Sequence, residues 1–446
     1  MDIASLISQF GGFGWTILAF VLALSVIVAI HEYGHYIVGR WSGIHADVFS
    51  IGFGPVIWSG IDKRGTQWQI AALPFGGYVK FAGDANAASG KDEDAMAQAE
   101  ADPVALRRTM HGAPLWARAA TVFAGPLFNF VFSAIVFAFV FSMTGAPRDP
   151  LTVGEVHPTP VVSQLQAGDV VLAVAGQRLE EGSVSFPAQD TLPNETDVTY
   201  AVLRDGAELD VTGPHPFSAR VGGVTPRGAG QRAGLLEGDV IVQADGAPIA
   251  TFGDLVRAVK AVEGKPIVLS VWREGTVFDA EMIPKRTDEP SADGGFETHY
   301  RIGVFSSAPF EIATESLGLT TVIPAGISRV GEIISGSLTG LKYMMSGDIS
   351  TCNLSGPVGI AQTSGAMASA GFLPFLNFIA VLSTAVGFLN LFPIPALDGG
   401  HLVFYAYEAV TGKPPSDTWM RVLMTIGLAL VLTLMVFALG NDLFCP

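Results

Sequence analysis

The sequence predicts a polytopic α-helical membrane protein: four transmembrane helices, a membrane-associated β-hairpin and two small β-rich domains. Three observations predict it. Of 446 residues, 49% are apolar and only 15% charged, where a soluble globular chain carries roughly 25% charged residues. Four apolar stretches are each long enough to cross a bilayer, which takes about 20 residues. The remaining charge is gathered: residues 145–320 hold 25 acidic and 13 basic side chains, a balance of −12 out of a net −16. That block reads as water-exposed protein between membrane segments. The composition excludes a disordered chain and an ordinary cytosolic enzyme. The acidity excludes a broad basic surface, so no nucleic acid is expected as a partner.

In chain order, the spans are expected at about 13–38, 119–143, 372–395 and 422–439. The first is not read as a cleavable signal peptide, because residues 1–14 carry no Lys or Arg. Basic residues set the orientation. Arg40, Lys63, Arg64, Lys80, Lys91, Arg107, Arg108 and Arg118 fall between spans one and two, and Lys413 and Arg421 between spans three and four. Both termini and the acidic block are therefore expected outside the cytoplasm. The domain expectation is a first membrane part over 1–147, β-rich domains over 148–215 and 216–305, a membrane-surface amphipathic linker over 306–370, and a second membrane part over 371–446.

Between spans one and two, residues 48–81 mix glycines and prolines with aromatic and β-branched residues, and Lys63-Arg64-Gly65 marks a turn tip. The stretch reads as a reentrant β-hairpin; non-helical backbone at membrane depth is tolerated only against protein or a watery cavity. The acidic block repeats with a period of about 70 residues. Ala167-Gly168-Asp169-Val170 is echoed by Glu237-Gly238-Asp239-Val240, and Arg204-Asp205-Gly206 by Arg273-Glu274-Gly275. Asp205-Gly206 and Glu274-Gly275 read as hairpin turns. The pattern resembles tandem PDZ domains, whose groove between a strand and a helix takes a peptide end as an added strand. The second copy carries Ala233-Gly234-Leu235 and the first lacks that step, so peptide C-termini are expected as partners of the second copy only; two structural spacers are the bland alternative. Residues 324–345 place Ile327, Val330, Ile334, Leu338, Leu341 and Met345 at helical spacing, which suits an outer membrane surface or a core helix of the outer block.

The chemical signal is His31-Glu32-Tyr33-Gly34-His35 near the end of the first span. On a helix, positions i and i+4 share a face, so both imidazoles can reach one metal, and imidazole suits zinc. Glu32 sits where it can take a proton from a metal-bound water. Ionisable groups at that depth are costly and functional by default; a polar patch at a helix end is the bland alternative. A catalytic zinc keeps three protein ligands and one open position. With two cysteines, Cys352 and Cys445, no thiolate site can be built. Asp398 is the best third ligand, following Pro393 and Pro395 and preceding Gly399-Gly400, and His401 competes with it. His45, His111, His157, His215 and His299 read as structural or surface residues.

With these motifs in order, the chain resembles the site-2 protease family of intramembrane zinc metalloproteases, closest to its bacterial regulator of sigma-E protease type. The resemblance spans nearly the whole chain: His31 to His35, Gly52-Phe53-Gly54-Pro55, Phe123 to Asn129, the paired repeats, Gly356 to Ile360, and Asn390 to Gly400. It implies a single zinc ion held by His31, His35 and Asp398, with Glu32 catalytic, and it demotes His401. It implies that Asn390 contacts the substrate chain. Asn129 also matches a family position and is carried with Asn390 as a candidate substrate contact; unaided, it reads equally as a polar helix-packing contact. The implied reaction is peptide-bond hydrolysis within single-span membrane proteins such as an anti-sigma factor, and in leftover signal peptides, in the bacterial inner membrane. A metal transporter or sensor, and a noncatalytic scaffold presenting the paired domains, are the competing classes.

Overall fold

The protein is described from a computed structural model covering residues 3–86, 90–180, 184–225, 228–290, 296–348 and 350–444. Cys445, whose expected position was outside the cytoplasm, lies beyond the described residues. The chain divides into two units. One is built from residues up to Phe141, Leu319–Lys342 and Leu354 onward; the other from Ser142–Gly318 and Tyr343–Asn353.

Among the described residues, four helices are long and apolar enough to cross a membrane: span 1 at Gly12–Trp41, span 2 at Leu115–Thr144, span 3 at Phe372–Asn390 and span 4 at Thr418–Phe444. All four fall where hydropathy predicts. Span 3 stops five residues earlier than expected, because Leu391 to Leu397 form tight turns around Pro393 and Pro395, with Ile394 N–H donating to Phe392 O and Leu397 N–H to Ile394 O. Proline lacks the N–H that would continue a helix. Spans 2 and 3 pack through Phe137 and Ala380, and Ser133 Oγ donates across to Ala380 O at 2.9 Å. Spans 1 and 3 meet through Ala23, Ile27 and Ile379.

The helix Leu319–Ser346 lies along span 2, with Val330 joining the cluster of Val136, Phe137 and Val140. Its buried line runs Val322, Gly326, Val330. Of the predicted stripe, Val330 is buried and Ile334 packs beside it, while Ile327, Leu338 and Met345 are exposed. Where neighbours are equally apolar, packing favours small residues that admit a close approach over large ones. A shorter helix, Pro357–Ala370, begins against span 4. The Asp442 carboxylate accepts from the N–H groups of Gly356, Val358 and Gly359 at 2.9–3.0 Å. A carboxylate 84 residues away along the chain thus satisfies the open donors of a helix start.

The hairpin is Ala46–Ile61 paired with Gln67–Phe81. Its register shows that it folds back on itself. Residues 46–51 pair with 77–81 on one side and run beside 67–70 on the other, while 56–61 pair with 67–71. The result is a four-segment sheet whose free edges are residues 56–61 and 77–81.

In the second unit, the sequence repeat becomes two four-stranded antiparallel sheets of matching order. Val170–Val174, Asp197–Arg204 and Ala207–Pro214 correspond to Val240–Ala244, Ile267–Arg273 and Thr276–Met282. Asp205 and Glu274 have φ of +51° and +48°, each followed by a left-handed glycine, so both turns form as the dipeptides predict. Each copy carries a bidentate pair: Arg204 grips Asp169 through two 2.7 Å contacts, and Arg273 grips Asp239 at 2.6 and 2.8 Å. The copies are interleaved. Phe310–Ile312, expected in the stretch after the second domain, pairs with Val153–Val156 of the first copy, and Val304–Ser306 pairs with Val221–Val224. Thr314–Glu315 pairs with Ala146–Pro147.

Candidate metal centre

Span 1 places His31 and His35 one turn apart on the face packed against span 2. Span 2 is shaped to receive them. A Cβ on Gly125 would stand 2.3 Å from His35 Nε2 and 2.9 Å from His31 Cε1, so only glycine leaves room for both rings. His35 Nδ1 lies 2.9 Å from Thr121 O. A carbonyl only accepts, so Nδ1 carries the proton and Nε2 presents its lone pair. His31 Nδ1 lies 3.2 Å from the side-chain amide of Asn129.

Asp398 is the first residue of the helix Asp398–Thr411. A carboxylate is favoured at that positive helix end. The two following glycines are fixed by crowding. A Cβ on Gly399 would meet Phe392 O at 2.2 Å, and one on Gly400 would meet Ile394 O at 2.4 Å. Their absence lets the helix start against the turn that ends span 3. The other end of this helix is tied to span 2, where Arg118 makes a bidentate pair with Glu408 at 2.6 and 3.0 Å and lies over the Tyr405 ring.

Asp398 Oδ2 comes within 3.1 Å of His31 Nε2 and 3.5 Å of His35 Nε2, and the two imidazole nitrogens are 3.1 Å apart. Oδ2 is buried and, despite this closeness, makes no hydrogen bond. The three donor atoms lie within 3.5 Å of one another. A tetrahedral zinc about 2.0–2.2 Å from each donor would set them roughly 3.3–3.6 Å apart. The residues present therefore fit a zinc ion. Among the described residues these three are the only His, Cys, Asp and Glu grouped closely enough to share a metal.

Glu32 turns toward the hairpin. A Cβ on Gly77 would lie 3.4 Å from Glu32 Cγ. The sheet edge at residues 77–81 thus runs past the carboxylate. The far turn of the hairpin is fastened to span 1 just beyond His35. Asp62 accepts from Tyr36 Oη at 3.1 Å and from the backbone of Arg64 and Thr66, with Arg40 at 3.5 Å.

The structure brings His31, His35 and Asp398 together with Asn129 at their back. Asn390, the last residue of span 3, is partly buried eight residues before Asp398. His401 does not join the group; its ring lies edge-on to Phe404 at 6.2 Å. His45, His111 and His299 sit beside Asp47, Asp84 and Glu297. His215 is buried, with Nδ1 accepting from Phe217 N–H. Sequence reasoning misses Thr121, Gly125, Arg118 and Glu408 as parts of the site. Gly125 is visible only as a member of the Phe123–Asn129 motif, and a backbone acceptor such as Thr121 O leaves no side-chain signature.

Comparison with known proteins follows the same lines. The family described as Peptidase family M50 matches residues 19–434. A protein of Rhizobium meliloti (strain 1021) named "Putative zinc metalloprotease" is 36% identical over 431 residues, covering 96% of each chain. One of the same name from Agrobacterium fabrum is 34% identical, over 96% of this chain and 95% of its own. The "Regulator of sigma E protease" of Haemophilus influenzae is 31% identical, over 96% of this chain and 99% of its own.

Proposed function

The chain belongs to peptidase family M50, the site-2 protease family of intramembrane zinc metalloproteases, and from that premise we propose how its residues divide the work. It is a zinc metalloprotease of membrane proteins. The observation that carries the site assignment is the convergence of His31 Nε2, His35 Nε2 and Asp398 Oδ2 within 3.5 Å of one another, beside Glu32. When bound, zinc supplies Lewis acidity, polarising the scissile carbonyl and acidifying the attacking water.

Glu32 is the general base. It accepts the water's proton and returns it to the leaving amine. A transmembrane helix hides its carbonyls in internal hydrogen bonds, so the substrate must unwind. The hairpin offers the unwound chain a strand to pair with. Of its two free edges, residues 77–81 pass Glu32. Residues 56–61 lie three strand spacings away, about 14 Å at about 4.8 Å per strand. The 77–81 edge is the one that suits a scissile bond, and Asn390 holds the chain from the other side.

The reading extends to a multi-pass protein of the bacterial inner membrane, with both termini and the paired PDZ-like domains periplasmic and the site toward the cytoplasmic side. The outer domains act as a filter that admits substrates already trimmed by another protease, the second copy taking peptide C-termini. Substrates are single-span proteins of the anti-sigma type, in keeping with the name of the Haemophilus relative, and leftover signal peptides. The test is cleavage of a single-span substrate by purified parent and Glu32→Gln. The variant is expected to keep zinc and lose about 10²–10⁴-fold in rate; full activity in Glu32→Gln rejects Glu32 as the general base, and a parent that does not cleave favours a scaffold or a metal carrier.

A further inference from the structure

Asn129 is wholly buried on span 2. Its backbone O accepts from Ser133 Oγ at 2.8 Å and from Ser383 Oγ at 3.3 Å, and a Cβ on Gly387 of span 3 would stand 3.1 Å from Asn129 Cβ. The residue is enclosed by two spans, and its side-chain amide reaches the His31 ring. As oriented, its Nδ2 faces His31 Nδ1 at 3.2 Å, and its Oδ1 is buried with no hydrogen-bond partner. A stranded amide carbonyl costs about 1–3 kcal/mol.

The metal-facing geometry of His31 bears on this. His31 Nε2 is the atom directed at Asp398 Oδ2 and His35 Nε2. A neutral imidazole that ligates through Nε2 keeps its proton on Nδ1, and that N–H requires an acceptor. Amide oxygen and nitrogen have nearly the same shape, so their assignment rests on the hydrogen-bond network. Turning the Asn129 amide by half a turn places Oδ1 against Nδ1–H and gives both groups their partner.

We propose that Asn129 is a positioning residue for the metal centre: its Oδ1 accepts from His31 Nδ1–H and fixes the tautomer and plane of that ring, as Thr121 O does for His35. Span 2 then orients both imidazoles from two turns of one helix, with a side chain at one and a backbone carbonyl at the other. This rests on the assignment of His31, His35 and Asp398 as ligands, and it gives Asn129 a role behind the metal in place of the substrate contact implied by family resemblance.

The test is zinc affinity of the full-length purified protein, read by competition with a chelator for zinc alone, in Asn129→Leu and Asn129→Asp. Leucine keeps the volume and removes the acceptor; aspartate keeps an acceptor at the same position. The expected result is about 10–100-fold weaker zinc binding in the leucine variant, with aspartate restoring affinity to within a few-fold of parent. Parental zinc affinity in Asn129→Leu overturns the proposal. Equal loss in both variants also overturns it, since that is the pattern of a packing contact. Asp398→Asn in the same assay separates the two readings: if it too keeps parental affinity, the ligand assignment itself has failed.

Discussion

At the scale of single residues, the centre is two imidazoles, one carboxylate and the small residues that let them meet. Gly125 is the plainest case. A methyl group there would overlap the His35 ring at 2.3–2.4 Å. Gly125→Ala is therefore expected to weaken zinc binding by about 10-fold or more while span 2 still forms, because alanine is the better helix former; unchanged affinity would mean the rings have another place to go. The residues of the proposed centre were legible in the sequence because they are expensive: His31 and His35 interrupt an apolar helix at one-turn spacing with Glu32 between them, and Asp398 follows a proline break. What orients them was not. Thr121 acts through its carbonyl, and Asn129 is one amide among many until a fold sets it 3.2 Å from His31.

At the scale of elements, the hairpin is the least predictable part. Its existence follows from glycine, proline and the Lys63-Arg64-Gly65 tip, but its doubling back does not, because register depends on which segments meet rather than on local composition. The doubling decides which edge passes Glu32. Neighbouring residues of a strand point their N–H and C=O groups to opposite sides. Gly77 stands at this edge, its Cβ position 3.4 Å from Glu32 Cγ, and strand addition there would use its backbone N–H. Gly77→Pro removes that donor, and Gly77→Ala keeps it while adding the same crowding against Ser50 O. Cleavage is expected to fall further in the proline variant than in the alanine variant, with zinc content equal in both. Equal rates in the two would argue against strand addition at this edge. Helix Asp398–Thr411 is likewise set by distant partners: Arg118 and Glu408 are 290 residues apart and nothing local announces their pairing.

At the scale of the whole molecule, a membrane unit carries the chemistry and a β-rich unit is inserted within it. The repeat was readable because each copy reuses the same turn and the same Asp–Arg pair. The interleaving was not, since Phe310–Ile312 completes the first copy from beyond the second. That topology dictates how the filter is tested. Replacing residues 148–313 by a short linker removes both copies entire and keeps the Ala146–Pro147 and Thr314–Glu315 strands that close the insertion. The truncated protein is expected to cut substrates whose outer part is intact; selectivity equal to the parent would dismiss the filter. Everything at this scale presupposes that span 1 and the helix Asp398–Thr411 share one ion. The zinc content of the purified protein after exposure to a chelator measures this most directly, with one ion per chain retained in the parent and in Glu32→Gln, and none in Asp398→Asn. Stoichiometric zinc persisting in Asp398→Asn would contradict the account.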